Sequence, residues 1–222
     1  MLRSLIQPSL FNSVRAARLS TTAVACTGPP PSTPLSPEYY AQRSKQFILT
    51  PAEIEREFAA LPSKVRELTA GYPVATTLAV HWGMQDSFGH LNNVAYLRFF
   101  ETGRLQLMAA LTHYMSPQEA VELIDATGVG VIAKDVYAKY LAPVHWPDSL
   151  TIATRAVDVK SRDGKSIAKD RMLVEGIAVS HKQEAIVASH FCTMVAFDYK
   201  KQSKSDYTES ILNAVRTVHK SC

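Results

Sequence analysis

The sequence has little cysteine, no long apolar run and no acidic residue near its start. Its three cysteines, Cys26, Cys192 and Cys222, lie far apart. No Cys-x-x-Cys pair and no Cys/His metal spacing occurs, so zinc ribbons, redox dithiols and a disulfide framework are not expected. Few cysteines without such a framework suit a reducing compartment. Cys192 alternates with apolar neighbours and reads as a core thiol rather than a nucleophile. No stretch approaches the roughly 20 apolar residues of a membrane-spanning helix. No Gly-rich phosphate loop is present. The net charge is only +4, and Lys and Arg are scattered instead of forming the basic patch of a nucleic-acid binder. The expectation is a protein with no metal, no redox cofactor, no nucleic-acid partner and no membrane span.

The first acid is Glu38, preceded by Arg3, Arg15 and Arg18 among many Ser, Thr, Ala and Leu residues. Leu5, Leu10, Phe11 and Val14 share one side of a basic helix. An Arg-rich, Ser-rich, acid-poor leader is the composition of a mitochondrial transit peptide. Residues 1–27 are therefore expected to be a matrix-targeting segment, with Arg18-Leu19-Ser20 as a cleavage neighbourhood. Five prolines between residues 28 and 37 make 28–49 a stiff, extended linker. Thr50-Pro51-Ala52-Glu53 then reads as a helix start: Thr50 caps, Pro51 suits the first turn, and Glu53 completes a capping box. That helix is expected to reach about residue 61, with a second short turn over 63–69. Together they form a helical appendage, 50–72.

The core follows. Hydrophobic residues make up 46% of the chain, enough for one packed domain at this length. Residues 74–82 alternate and are rich in Val and Thr, as a strand requires. Residues 86–92 are polar and contain Gly89, which predicts a turn. Asn92 or Asn93 then caps a helix running from 94 to about 114, with Leu97, Phe100, Arg104, Leu107, Met108 and Leu111 on one stripe. Gly103 interrupts it at a cost of about 1 kcal/mol, which close packing against a sheet would explain. Four long β-branched strands are predicted over 130–140, 149–159, 166–180 and 185–197. Arg162-Asp163-Gly164-Lys165 reads as a hairpin turn, and 181–184 as the next connection. Pro143 and Pro147 bracket a loop. An amphipathic helix over 205–220 lies within the C-terminal segment 200–222. The order is strand, long helix, four strands, an α+β class in which one antiparallel sheet wraps around one helix. The sheet's other face needs cover, so a homodimer or homotetramer is expected.

At this point the chain resembles a known family. A strand ending at Trp82-Gly83, Asp86 in a turn, Gly89-His90-Leu91-Asn92-Asn93, then Tyr96 and Phe99-Phe100-Glu101-Thr102-Gly103-Arg104 are similar to the hot-dog thioesterases of the 4-hydroxybenzoyl-CoA thioesterase type. The resemblance spans about residues 74–198. It implies the hot-dog fold for 73–199, an acyl-CoA substrate and hydrolysis to a free acid and CoA. One position departs from the pattern. The family commonly carries an acid two residues before the retained aspartate, where this chain has Met84 followed by Gln85. A hot-dog acyl-CoA binder or structural subunit without catalysis is the alternative that Met84 favours. A hydratase of the same fold is disfavoured by the absence of an Asp-x-Asn-Pro-x-x-His segment.

The resemblance assigns roles. Asp86 either attacks the thioester carbonyl or deprotonates a water. The backbone N–H of Asn93, at the positive end of the helix, faces the developing oxyanion. His90 either supports the turn or polarises the carbonyl. Glu101, two turns into the helix, is a second candidate for the catalytic carboxylate, although a simple ion pair with Arg104 would also account for it. Gly89 and Asn92 shape the turn and cap beside the substrate. Arg162, Lys165 and Ser166, in the third hairpin, meet the CoA phosphates. Tyr137 and Tyr140 either line an acyl pocket or fill a sheet face.

Overall fold

The computed structural model describes residues 49–157 and 168–220. The leader, most of the proline-rich linker and the 162–165 hairpin lie outside them. The first helix, α1 (Pro51–Ala60), begins as its sequence requires. Thr50 N–H donates to the Glu53 carboxylate at 2.7 Å and Glu53 N–H donates to Thr50 Oγ1 at 3.3 Å. A short α2 (Ser63–Thr69) leads into β1 (Val74–Val80). That strand stops two residues earlier than the alternation suggests. Trp82–Met84 instead form a single 3-10 turn, and Trp82 is exposed.

The long helix α3 (Asn93–Leu111) runs on through a 3-10 turn at Thr112–Tyr114. Next comes α4 (Pro117–Ile124), where periodicity alone gives no element. Its start repeats the device at α1: Ser116 caps, Pro117 opens and Glu119 closes the box. The strands β2 (Val129–Tyr140), β3 (Asp148–Val157), β4 (Arg171–Ser180) and β5 (Ala185–Asp198) follow, then a two-residue β6 (Ser203–Lys204) and α5 (Glu209–Lys220). All pairings are antiparallel, in the order β1-β3-β4-β5-β2, with β6 on β5.

Alternation along the strands divides the sheet into two faces. Leu150, Ile152, Val174 and Ala178 turn toward α3, with Phe99, Phe100, Leu107 and Leu111 packed on them. This is the expected sheet around a central helix. The stripe on that helix is shifted from the sequence reading. Phe100, Leu107, Met108 and Leu111 of the expected stripe are buried and Tyr96, Phe99 and Gly103 join them, so only its N-terminal end moves: Leu97 is 38% exposed, because adjacent helical positions lie about 100° apart. The opposite face carries Ala75, Ala153, Ile177 and Val179. They pack against Leu61, Val65 and Phe58 of the N-terminal appendage. The appendage therefore covers part of the face that a second subunit was expected to cover. Its cover does not extend to Tyr137 on β2, 58% exposed, or Phe191 on β5, 37% exposed.

Gly103 explains the close seat of α3. A Cβ there would lie 2.8 Å from the methyls of both Ile152 and Thr154. The Thr154 hydroxyl donates to the Gly103 carbonyl at 3.1 Å across this approach.

Candidate active site

The turn before α3 is held by its own polar groups. Asp86 N–H donates to the His90 carbonyl at 2.8 Å, and Gly89 N–H donates to the Asp86 carbonyl at 3.0 Å. Gly89 sits at φ +74°, a conformation that glycine adopts without steric cost. The Asp86 carboxylate folds back onto the turn. Its Oδ1 accepts from Phe88 N–H at 2.9 Å and from His90 N–H at 3.4 Å. No side chain or backbone group among the described residues donates to Oδ2.

The helix start lies next in sequence. Asn92 is the cap: its side-chain oxygen accepts from Val94 N–H at 2.9 Å, and its carbonyl accepts from Ala95 N–H at 2.9 Å. Asn93 is the first helical residue, and its N–H has no partner among the described residues. It is one of the orphan donors that every helix start presents.

A groove of about 420 Å³ brings these groups together. Its wall includes Asp86, His90, Asn93, Tyr96 and Tyr140, and the 141–143 segment closes one side. Tyr140 donates its hydroxyl to the Asn93 carbonyl at 3.1 Å and meets Tyr96 edge-on at 5.3 Å. Burial, helped by Tyr140 and Asp148, pushes the Tyr96 phenol up to about 12. Tyr96 therefore remains a neutral hydroxyl at any physiological pH.

The other residues singled out in the sequence fall elsewhere. Gly89 belongs to the turn, and Asn92 serves the helix as its cap. Glu101 is not part of the groove wall; its carboxylate accepts from Arg98 at 2.8 Å. The expected Glu101–Arg104 pair is replaced, because Arg104 reaches across to His190 on β5 at 2.9 Å. Arg162, Lys165 and Ser166 lie outside the described residues. Met84 is half-buried and packs against the core cluster that includes Leu91, Phe99 and Val144. It does not line the groove, so the acid missing at this position does not strip the groove wall of a carboxylate.

Residues 141–147, which connect β2 to β3, contribute what sequence reasoning does not find. Leu91 N–H donates to the Val144 carbonyl at 2.7 Å, Trp146 N–H to Gln85 Oε1 at 3.0 Å, and His145 Nδ1 bonds the Gly89 carbonyl at 2.9 Å. These contacts bridge more than fifty positions, and no local pattern announces them.

A family model described as the thioesterase-like superfamily matches residues 80–215, more than half of the chain. The chain belongs to the thioesterase-like superfamily. As a member it is a thioester hydrolase with the α+β hot-dog architecture. No curated protein matches the sequence significantly. Among solved structures, this superfamily member is similar to a thioesterase from Thermus thermophilus, complexed with coenzyme A and Zn. That match has 18% identity and a TM-score of 0.54, covering 68% of this chain and 97% of that one. The DHNA-CoA thioesterase of Staphylococcus aureus matches with 13% identity and a TM-score of 0.51, over 66% and 90% of the two chains. A probable thioesterase of Escherichia coli matches with 19% identity and a TM-score of 0.51, over 65% and 97%. At these identities the likenesses establish the fold. No helix among the described residues is long and apolar enough to cross a membrane.

Proposed function

We propose that this thioester hydrolase acts on acyl-CoA, with Asp86 as the reacting carboxylate and the Asn93 N–H as oxyanion donor. The observation that carries the reading is the shared groove. One wall holds Asp86, whose carboxylate has one oxygen engaged and one without a donor among the described residues, and Asn93, whose helix-start N–H is unspent, borders the same space. A thioester carbonyl seated there would meet a donor where negative charge develops. One such donor is worth about 2.7–4 kcal/mol in a transition state. In one route Asp86 Oδ2 attacks the carbonyl carbon, the C–S bond breaks and CoA leaves as a thiolate that takes up a proton. Water then cleaves the mixed anhydride. In the other, Asp86 takes a proton from water, the hydroxide adds to the carbonyl, and the proton passes to the leaving thiolate. Both routes consume one water and yield one acid and one CoA thiol. The acyl-CoA assignment rests on the motif resemblance, and the Thermus relative was crystallised with coenzyme A.

The test is Asp86→Asn. An Asn side-chain oxygen still accepts from Phe88 and His90, so the turn keeps its shape. Thiol release from short-chain, long-chain and aromatic acyl-CoAs is expected to fall by about 10²–10⁴-fold, with acyl-CoA binding and thermal midpoint near wild type. Unchanged turnover would reduce Asp86 to a turn residue, and Glu101→Gln would be the next variant to assay. In the same reading Arg162, Lys165 and Ser166 contact the CoA phosphates, and the protein is a matrix homodimer or homotetramer. The arginine-rich, acid-poor leader supports the location. A mature N-terminus near residues 20–26, read from protein isolated from mitochondria, is the expected result; intact Met1 in a cytosolic pool would contradict it.

A further inference from the structure

We infer that His145 is a positioning residue for the hydrolysis, holding the peptide that in turn holds the Asp86 carboxylate; this rests on the reading of Asp86 above. The Gly89 carbonyl and the His90 N–H belong to one peptide unit, which is planar. Its two polar groups point in opposite directions. The His90 N–H donates to Asp86 Oδ1 at 3.4 Å, and the Gly89 carbonyl accepts from the His145 ring at 2.9 Å. A carbonyl only accepts, so His145 Nδ1 carries the proton. This bond fixes the rotation of the peptide plane, and with it the direction in which the His90 N–H approaches Asp86.

The segment from Gly89 to His90 needs such a restraint. Glycine at φ +74° is the most freely rotating residue available, and a built Cβ at Gly89 meets nothing within 4 Å. Hydrogen bonds, and not side-chain packing at the Gly89 Cβ position, therefore hold this peptide. The His145 ring also meets the His90 ring edge-on at 4.7 Å, which braces the same peptide from its other residue. The loop that presents His145 is itself anchored: Val144 is fully buried and receives the Leu91 N–H, and the Trp146 N–H is held by Gln85. An anchored loop thus adds a restraint to a peptide that the turn's own hydrogen bonds also hold. The peptide supplies a second donor to Oδ1, beside the Phe88 N–H at 2.9 Å, and Oδ2 is left without a donor among the described residues. The bond also polarises the amide, strengthening the N–H that Asp86 accepts.

The donor and the ring are separable. His145→Phe keeps an aromatic edge against His90 and removes the donor. His145→Asn supplies an amide N–H close to where Nδ1 sits and removes the ring. With whichever of acetyl-, octanoyl- and benzoyl-CoA turns over fastest, His145→Phe is expected to lose about ten- to a hundredfold in kcat with KM within about twofold, as a misaimed reacting group does. His145→Asn is expected to recover to within about threefold of wild-type kcat. A His145→Phe enzyme with wild-type kcat, or an Asn variant as slow as the Phe variant, would overturn the inference. A thermal midpoint measured on both separates lost aim from lost fold. Asp86→Asn runs beside them. If it is inactive while His145→Phe is fully active, the positioning role alone is wrong. If Asp86→Asn turns over normally, the reading of Asp86 fails and the positioning role falls with it.

Discussion

His190, which the motif does not include, departs far from ordinary solution chemistry. Its ring is fully buried and stacks on Phe100 at 4.7 Å, while Arg104 lies 2.9 Å from Nε2. A guanidinium only donates, so Nε2 is the acceptor and the proton sits on Nδ1. Nδ1 has no acceptor in hydrogen-bonding geometry among the described residues. Burial first, and the Arg104 charge second, push the imidazole down to about 4, with the Tyr137 backbone offsetting part of this. The sign follows from linkage. The unfolded chain takes up this proton near pH 6.5, and the folded chain resists until about pH 4. The stabilisation is complete above pH 6.5 and is lost as pH falls toward 4. His190→Gln keeps an acceptor for Arg104 and removes the titration. In urea melts at pH 7 and pH 4.5, wild type is expected to lose on the order of 2 kcal/mol more than the variant. Equal losses would show that His190 does not contribute to acid sensitivity.

At the scale of elements, the contact between α3 and the sheet is set by one missing side chain. Replacing Gly103 by alanine gains about 1 kcal/mol of helix propensity. It also places a methyl 2.8 Å from Ile152 and Thr154, whose branched side chains are held in a sheet. Overpacking of this kind costs about 1–3 kcal/mol. The crowding outweighs the propensity, and Gly103→Ala is expected to be less stable by about 1 kcal/mol in chemical denaturation. A more stable variant would mean that α3 lifts off the sheet freely.

This glycine also shows what a sequence can disclose about an element. A glycine inside a strong helical pattern implies a close neighbour, and the neighbour proves to be β3. Caps are equally legible, because Thr50 and Asn92 act on groups two or three residues away; Ser116, Pro117 and Glu119 carry the same signal at a helix that periodicity alone does not give. The turn at Gly89 is legible for the same reason. Contacts between distant segments leave no such trace. His145 on Gly89 and Arg104 on His190 join positions 56 and 86 apart. Arg104 illustrates the difficulty: a local rule pairs it with Glu101, but the fold offers His190 on the buried side and gives Glu101 to Arg98. The packing of the appendage on the sheet is likewise invisible, since amphipathic helices reveal a buried face but not what buries it.

For the molecule as a whole, the surfaces left uncovered decide how copies meet. The strand order puts β2 at one edge of the sheet. It is a long strand, and Val136 at 45% and Tyr137 at 58% exposure lie along it. Lys134, Asp135, Lys139 and the bulge between Ala133 and Asp135 blunt parts of this edge, and the exposed apolar side chains of Val136 and Tyr137 are what a pairing strand would cover. The appendage covers the sheet over β1, β3, β4 and the start of β5 at Ile186, and no β2 residue belongs to that cluster. A second copy that pairs its own β2 antiparallel would satisfy both sets of edge groups and cover Val136. It would also bring a second chain beside Tyr140, which lines the Asp86 groove at the end of the same strand. Assembly and catalysis would then be linked through β2. In a dimer paired in this way, Val136→Asp would put a carboxylate from each copy into the contact. Light scattering at micromolar concentration is expected to show a shift from dimer to monomer, with acyl-CoA turnover falling alongside mass. A dimer of unchanged mass would place the contact elsewhere, on the exposed side of α3 that carries Val94, Leu97 and Leu105. A monomer with full turnover would show instead that each groove is complete within its own chain.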